Sequence, residues 1–141
     1  ALPSLVLMSL WGIGGGMIIY LAGLQGIPEE LYEAGKIDGA NGSQLFWKIT
    51  LPLMTPTIFF NVVMGLIGAL QIFTESFLLT AGGPLHSTFF YGLMVYERAF
   101  KYFQMGMASA MSWVLGIVIM ILTLLVFKSS ALWVFYDSEV K

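Results

Sequence analysis

The stretch MGMASAMSWVLGIVIMILTLLVF, from Met105 to Phe127, contains no charged residue and no proline. A helix needs roughly 20 consecutive apolar residues to cross the hydrocarbon core of a bilayer, and this run is long enough. Two further charge-free runs extend from Ala1 to Pro28 and from Leu51 to Thr74. Over all 141 residues the hydrophobic fraction is 58% and the charged fraction 10%. Soluble domains carry about a quarter charged residues, and here the few charges sit between the apolar runs. The expected fold class is all-α: a polytopic transmembrane protein with three spans, over residues 2–24, 51–78 and 105–127, rather than a greasy soluble domain.

The spans carry internal detail. Pro3 stands near the start of the first, where a missing N–H does little harm. Gly12 and Gly16 have the small-xxx-small spacing that lets helices approach closely in lipid; with Gly14 and Gly15 between them, the same cluster also allows a bend. Gly23 and Gly26 are expected to end this span. In the second, Pro52 and Pro56 are placed in the first turns, where proline is best tolerated. Asn61, Gln71, Thr74 and Glu75 interrupt its apolar character. Polar side chains at membrane depth must face protein or water, so they either line a hydrophilic path for a polar solute or act as hydrogen-bonding glue between helices. The nine methionines are scattered and read as adaptable packing.

Between the first two spans, residues 28–49 are too polar to cross a membrane. Pro28 opens a short helix with Glu29 and Glu30 in its first turn, where the helix dipole favours acids. Gly39 closes it as a left-handed C-terminal residue. Asn41 and Gln44 have the spacing of a capping box, so a second short helix should follow over 42–49. Residues 79–103 form a second connection: a turn with Gly82, Gly83 and Pro84, then a stretch rich in Tyr and Phe that suits a membrane–water interface. Trp133, Phe135 and Tyr136 suit the interface beyond the third span. Lys36, Lys48, Lys128 and Lys141 fall on one side and Arg98 and Lys101 on the other. That balance favours the two-helix loop and the C-terminus in the cytoplasm.

Chemistry of other kinds finds no support. His86 is the single histidine and there are no cysteines, so multi-histidine and thiolate metal sites are excluded. No G-x-S-x-G elbow accompanies His86, and no catalytic cluster is present. A phosphate-binding loop is also missing: Gly35-Lys36 is followed by Ile37, and Glu30 stands where its first glycine belongs. If ATP powers this protein, another chain hydrolyses it. A net charge of −2 gives no reason to expect nucleic acid as a partner. The first run lacks the basic flank and cleavage site of a signal peptide. A start at Ala1 without methionine suggests part of a longer protein.

One constellation remains. Glu33-Ala34-Gly35, three residues ending at Asp38, Gly39, nine more residues, and Ile49-Thr50-Leu51-Pro52 reproduce the spacing E-A-A-x3-G-x9-I-x-L-P. This resembles the EAA loop of bacterial binding-protein-dependent ABC importer permeases, with Gly35 in place of the second alanine. The likeness continues through Tyr20-Leu21-Ala22-Gly23-Leu24-Gln25-Gly26-Ile27-Pro28 before the loop and Leu79-Thr80-Ala81-Gly82-Gly83-Pro84 after the second span. Ser87-Thr88, Tyr96 and Ala99-Phe100 add to it, while His86 stands where Asn is common. These segments are similar to the maltose and glycerol-phosphate branch of the family.

The resemblance implies the C-terminal part of a sugar-type permease in the bacterial inner membrane, with further spans preceding it. It implies that Glu33, Ala34, Gly35, Asp38, Gly39, Ile49, Leu51 and Pro52 couple the spans to a separate ABC ATPase dimer, which would hold the ATP and Mg. A second homologous permease and a periplasmic or lipid-anchored solute-binding protein complete the implied assembly. The small residues Ala34, Gly35 and Gly39 would leave a bare strip able to settle into a groove on the ATPase. Glu33 would meet a basic residue there, unless it is only a solvated i,i+3 partner of Lys36. A stand-alone channel or secondary transporter, with the loop helices as interfacial anchors, is the competing reading. Such anchors would need apolar stripes that Ala34, Gly35 and Gly39 do not supply.

Overall fold

A computed structural model describes residues 2–135; Tyr136 and Lys141, used above, lie outside the described residues. Every regular element among them is helical. We number them α1 (Leu2–Trp11), α2 (Ile13–Gln25), α3 (Glu29–Ile37), α4 (Gly42–Leu70), α5 (Ser76–Thr80), α6 (Tyr91–Tyr96, continuing through Glu97–Lys101) and α7 (Met105–Trp133). By length and composition α4 and α7 can each cross a membrane, and α1 with α2 makes a third span if the broken pair is counted as one.

The helices differ from the expected spans in five places. The first span breaks at Gly12, the bend that its glycine cluster allows, and Gly14, Gly15 and Gly16 meet no neighbouring side chain within this chain. Gly23 does not end α2, which continues to Gln25. α4 starts at Gly42, so the second loop helix and the span are one rod, and Pro52 and Pro56 lie inside it rather than in its first turns. A π-helical turn over Phe46–Thr50 precedes Pro52. The amide of Leu51 reaches back to the Phe46 carbonyl, which widens the helix just where proline crowds the preceding turn. Finally, α4 stops at Leu70, short of the expected residue 78: the Gln71 amide turns back to the Gly68 carbonyl at 3.1 Å. α7 in turn runs six residues past 127, through Lys128, to Trp133.

The chain forms two compact units. The first comprises residues 2–11 and 63–126. In it Gly92 packs against the Ile72 carbonyl and Phe73, so close that an added Cβ would lie 3.1 Å from that oxygen. Phe73, Phe77, Tyr96 and Phe100 stack in succession with ring centroids 4.9–5.3 Å apart. Such aromatic pairs contribute about 0.5–1.5 kcal/mol each beyond burial. The Tyr91 hydroxyl donates to the Met111 carbonyl at 2.8 Å, tying α6 to α7.

The second unit comprises residues 12–62 and 127–135. Its helices meet at a small-residue contact. The position of a Cβ on Gly23 would lie 2.7 Å from Thr57 Oγ1, so α2 and α4 touch only because position 23 is bare. Phe59 is buried between Phe127 and Trp133 in edge-to-face contacts at 5.0 and 6.0 Å. The Phe135 amide donates to Thr55 Oγ1 at 2.8 Å, holding the segment just after α7 against α4.

Candidate functional site

The two-helix loop of the second unit is built from local signals. Pro28, extended at φ −60° and ψ 131°, serves as N-cap of α3. Glu29 and Glu30 occupy its first turn and Lys36 its last, so charge complements the dipole at both ends. Termination follows a Schellman pattern. The Gly39 amide donates to Lys36 at 3.0 Å and the Ala40 amide to Gly35 at 2.9 Å, with Gly39 left-handed at φ +80°. The capping box then starts α4: Gln44 N–H donates to the Asn41 side chain at 2.9 Å, and Asn41 N–H to the Gln44 side chain at 3.0 Å. Removing such a cap costs about 1 kcal/mol.

Tertiary contacts fold α3 back on α4. A Cβ built on Gly35 would stand 2.6 Å from Leu45 Cδ2 and 3.2 Å from Ile49 Cδ1. Gly35 therefore faces α4, not outward, and the expected bare strip is divided. Ala34 and Gly39 remain exposed, whereas Gly35 is used within the chain. Beside this contact the hydroxyls of Tyr32 and Thr50 share a hydrogen bond of 2.7 Å. Thr50 is only 9% exposed.

Of the remaining residues singled out for coupling, Glu33 is exposed and makes no ion pair with Lys36; among the described residues the single ion pair is Lys101–Glu97 at 3.0 Å. Asp38 is the C-cap of α3 and exposed. Ile49, Leu51 and Pro52 are half-buried on α4 around the π-helical turn. The loop thus offers a carboxylate, an alanine and a glycine on one helix whose orientation is set by the other. Ile37, 86% exposed, and Trp47, 64% exposed, flank it with exposed apolar surface. Sequence reasoning gave no role of their own to Tyr32, Leu45 and Thr50. Tyr32 and Gly35 lie one turn apart on α3, a spacing that could have marked the inward face.

The polar residues of the second span do not form one cluster. Asn61 Nδ2 donates to the Thr57 carbonyl at 2.9 Å, so part of its polarity is spent on its own helix. Gln71 lies at the break that ends α4, with Thr74 and Glu75 directly beyond it; all three are exposed. Irregular backbone at membrane depth is tolerated where protein or a water-filled cavity covers it.

The connection at residues 81–90 is held by hydroxyls. Thr88 is fully buried; its Oγ1 donates to the Gly83 carbonyl at 2.9 Å and shares a 2.6 Å bond with Thr80 Oγ1. Ser76 Oγ donates to the Thr88 carbonyl. Leu85 and His86 are consecutively left-handed at φ +51° and +59°, with Leu85 98% exposed. Non-glycine residues persist there only where their surroundings over-determine them. Further on, Lys101 donates to Glu97, and this bond together with the carboxylate charge and then Tyr102 raises the Lys101 pKa above its ordinary value. Arg98 lies 5.6 Å from the centroid of the same tyrosine ring.

Comparison with known proteins gives this geometry its context. Residues 1–131 match the family described as binding-protein-dependent transport system inner membrane component. The chain is 50% identical over 141 residues to YesP of Bacillus subtilis (strain 168), a probable ABC transporter permease protein, covering 99% of this chain and 46% of that one. It is 42% identical over 131 residues to the multiple sugar-binding transport system permease protein MsmF of Streptococcus mutans, covering 92% and 45%. With the arabinooligosaccharides transport system permease protein AraP of Bacillus subtilis (strain 168) it shares 37% identity over 130 residues, covering 89% and 41%. The chain spans less than half the length of these relatives.

Proposed function

The chain belongs to the family of binding-protein-dependent transport system inner membrane components, and on that premise we propose that it forms part of the translocation path of an ABC importer. The solute is a sugar or a related polyol, a reading supported by the sugars in the names of MsmF and AraP. The α3–α4 loop receives an ATPase subunit, one of a pair that holds ATP and Mg, and this chain hydrolyses nothing itself. A second permease and a solute-binding protein complete the assembly. The loop and the C-terminus face the cytoplasm, and residues 79–103 face the opposite side. Gln71, Thr74 and Glu75 at the helix break, with Asn61 on α4, contribute polar groups to the path.

One observation carries the proposal. α3 starts at Pro28, ends in a Schellman turn and is seated on α4 through Gly35, yet Glu33 and Ala34 stay exposed. A helix so placed transmits force as a rigid body while its outer face remains available to a groove. Losing one member of a charge pair buried at an interface costs about 2–5 kcal/mol. Glu33→Ala in the intact transporter should therefore weaken ATPase binding by about thirtyfold or more and depress uptake with it. Normal ATPase affinity together with normal uptake in that variant would refute the coupling role.

A further inference from the structure

Thr50 departs from a habit that several short polar side chains of these helices follow. Hydroxyls and amides inside helices commonly return to a carbonyl three or four residues back. Thr55, Asn61, Ser112 and Ser130 do so here, at 2.6–3.0 Å. Thr50 instead spends its hydroxyl on Tyr32, across a sequence separation of 18 residues. It sits at the last position of the π-helical turn, directly before Leu51 and Pro52, on the same continuous helix that enters the membrane. Tyr32 is on α3, next to Glu33. The bond therefore joins the helix that carries the exposed carboxylate to the shaft of the span.

The other attachments of α3 to α4 leave a freedom that this bond removes. The connection through Gly39 is a single left-handed turn, exposed and without side-chain contact at that residue. The Gly35 contact with Leu45 and Ile49 is apolar, and apolar burial is non-directional, so it resists separation but not sliding or rotation. A hydroxyl pair at 2.7 Å is directional, and the burial of Thr50 shields one end of it from water.

We propose that Tyr32 and Thr50 are a positioning pair for energy coupling: their hydrogen bond locks α3 to α4, so that displacement of α3 moves the span instead of rocking the loop. The proposal rests on the coupling role of the loop argued above. It assigns no ATPase contact to either residue. The pair governs how much transport each catalytic cycle yields, not how tightly the motor is held.

The test uses the complete transporter in proteoliposomes, with its ATPase and solute-binding protein, and reads solute taken up per ATP hydrolysed beside ATPase affinity. Tyr32→Phe and Thr50→Val should each lower uptake per ATP by roughly twofold to tenfold, the range one net hydrogen bond commands, with ATPase affinity unchanged. The double variant should be no worse than either single one, since both remove the same bond. Thr50→Ser keeps the hydroxyl and should keep the wild-type ratio. An unchanged ratio in Tyr32→Phe, additive losses in the double variant, a Thr50→Ser as impaired as Thr50→Val, or weakened ATPase binding in Tyr32→Phe would each overturn the pair. Glu33→Ala in the same assay separates the two ideas. If it is impaired while Tyr32→Phe is silent, only the lock fails; if it is normal, the coupling reading itself fails.

Discussion

Two glycines show how differently a missing side chain can matter. At Gly35 the atoms that an added Cβ would meet are Leu45 Cδ2 and, less closely, Ile49 Cδ1, both the far ends of side chains. Alanine is favoured over glycine inside a helix by about 1 kcal/mol, and a small rotation of Leu45 makes room. Gly35→Ala should leave thermal stability in detergent within about 1 kcal/mol of the parent, and it restores the alanine usual in the motif. At Gly23 the obstacle is Thr57, a short β-branched side chain stiff at χ1. Gly23→Ala should destabilise by about 1–3 kcal/mol through overpacking, and adding Thr57→Ala should recover most of the loss. Thermal unfolding of the single and double variants reads both outcomes. The chemical change is identical at the two sites; only the neighbour's ability to retreat differs.

Among the elements, the 81–90 connection is the most dependent on a single residue. Thr88→Val removes its hydroxyl's donation to the Gly83 carbonyl and the bond it shares with Thr80 Oγ1 while keeping the shape. Leaving buried polar partners unsatisfied costs about 1–3 kcal/mol, and here the loss falls on a segment with left-handed Ala81, Leu85 and His86. Amides of residues 81–88 should exchange with deuterium faster in Thr88→Val, while those of α7 keep their protection.

Features set by a few adjacent residues were readable from the chain alone: the left-handed Gly39, the Asn41–Gln44 box, and the acids in the first turn of α3. What escaped were meetings between elements. Tyr32 with Thr50, Gly35 with Leu45 and Gly23 with Thr57 have no periodicity to announce them, because each is decided by how two helices pack. The break after Leu70 escaped for a related reason. Hydropathy stays high through Ile72 and Phe73, and the backbone there is packed against Gly92, a residue distant in sequence. The merging of the second loop helix with the span was hidden by Pro52 and Pro56, which read as a helix start although a π-helical turn accommodates proline within a continuing helix.

For the whole molecule, sidedness is open to direct measurement, since the chain has no cysteine to remove. Ser43→Cys in the α3–α4 loop and Leu85→Cys in the 81–90 connection place one thiol each at exposed positions. In intact cells a membrane-impermeant maleimide should label Leu85→Cys and spare Ser43→Cys, and permeabilisation should expose both. The reverse pattern would invert the proposed orientation and remove the loop from any cytosolic motor.

Helix α4 is one rod from Gly42 to Leu70, about 43 Å at 1.5 Å per residue. Pivoting such a rod by about 5° at one end carries the other through nearly 4 Å, by the same length. On the proposed orientation, a small tilt imposed at the loop end would move the far end of the same helix by more than the width of a water molecule. A jointed connection at Pro52 would have dissipated that stroke before it reached the lipid.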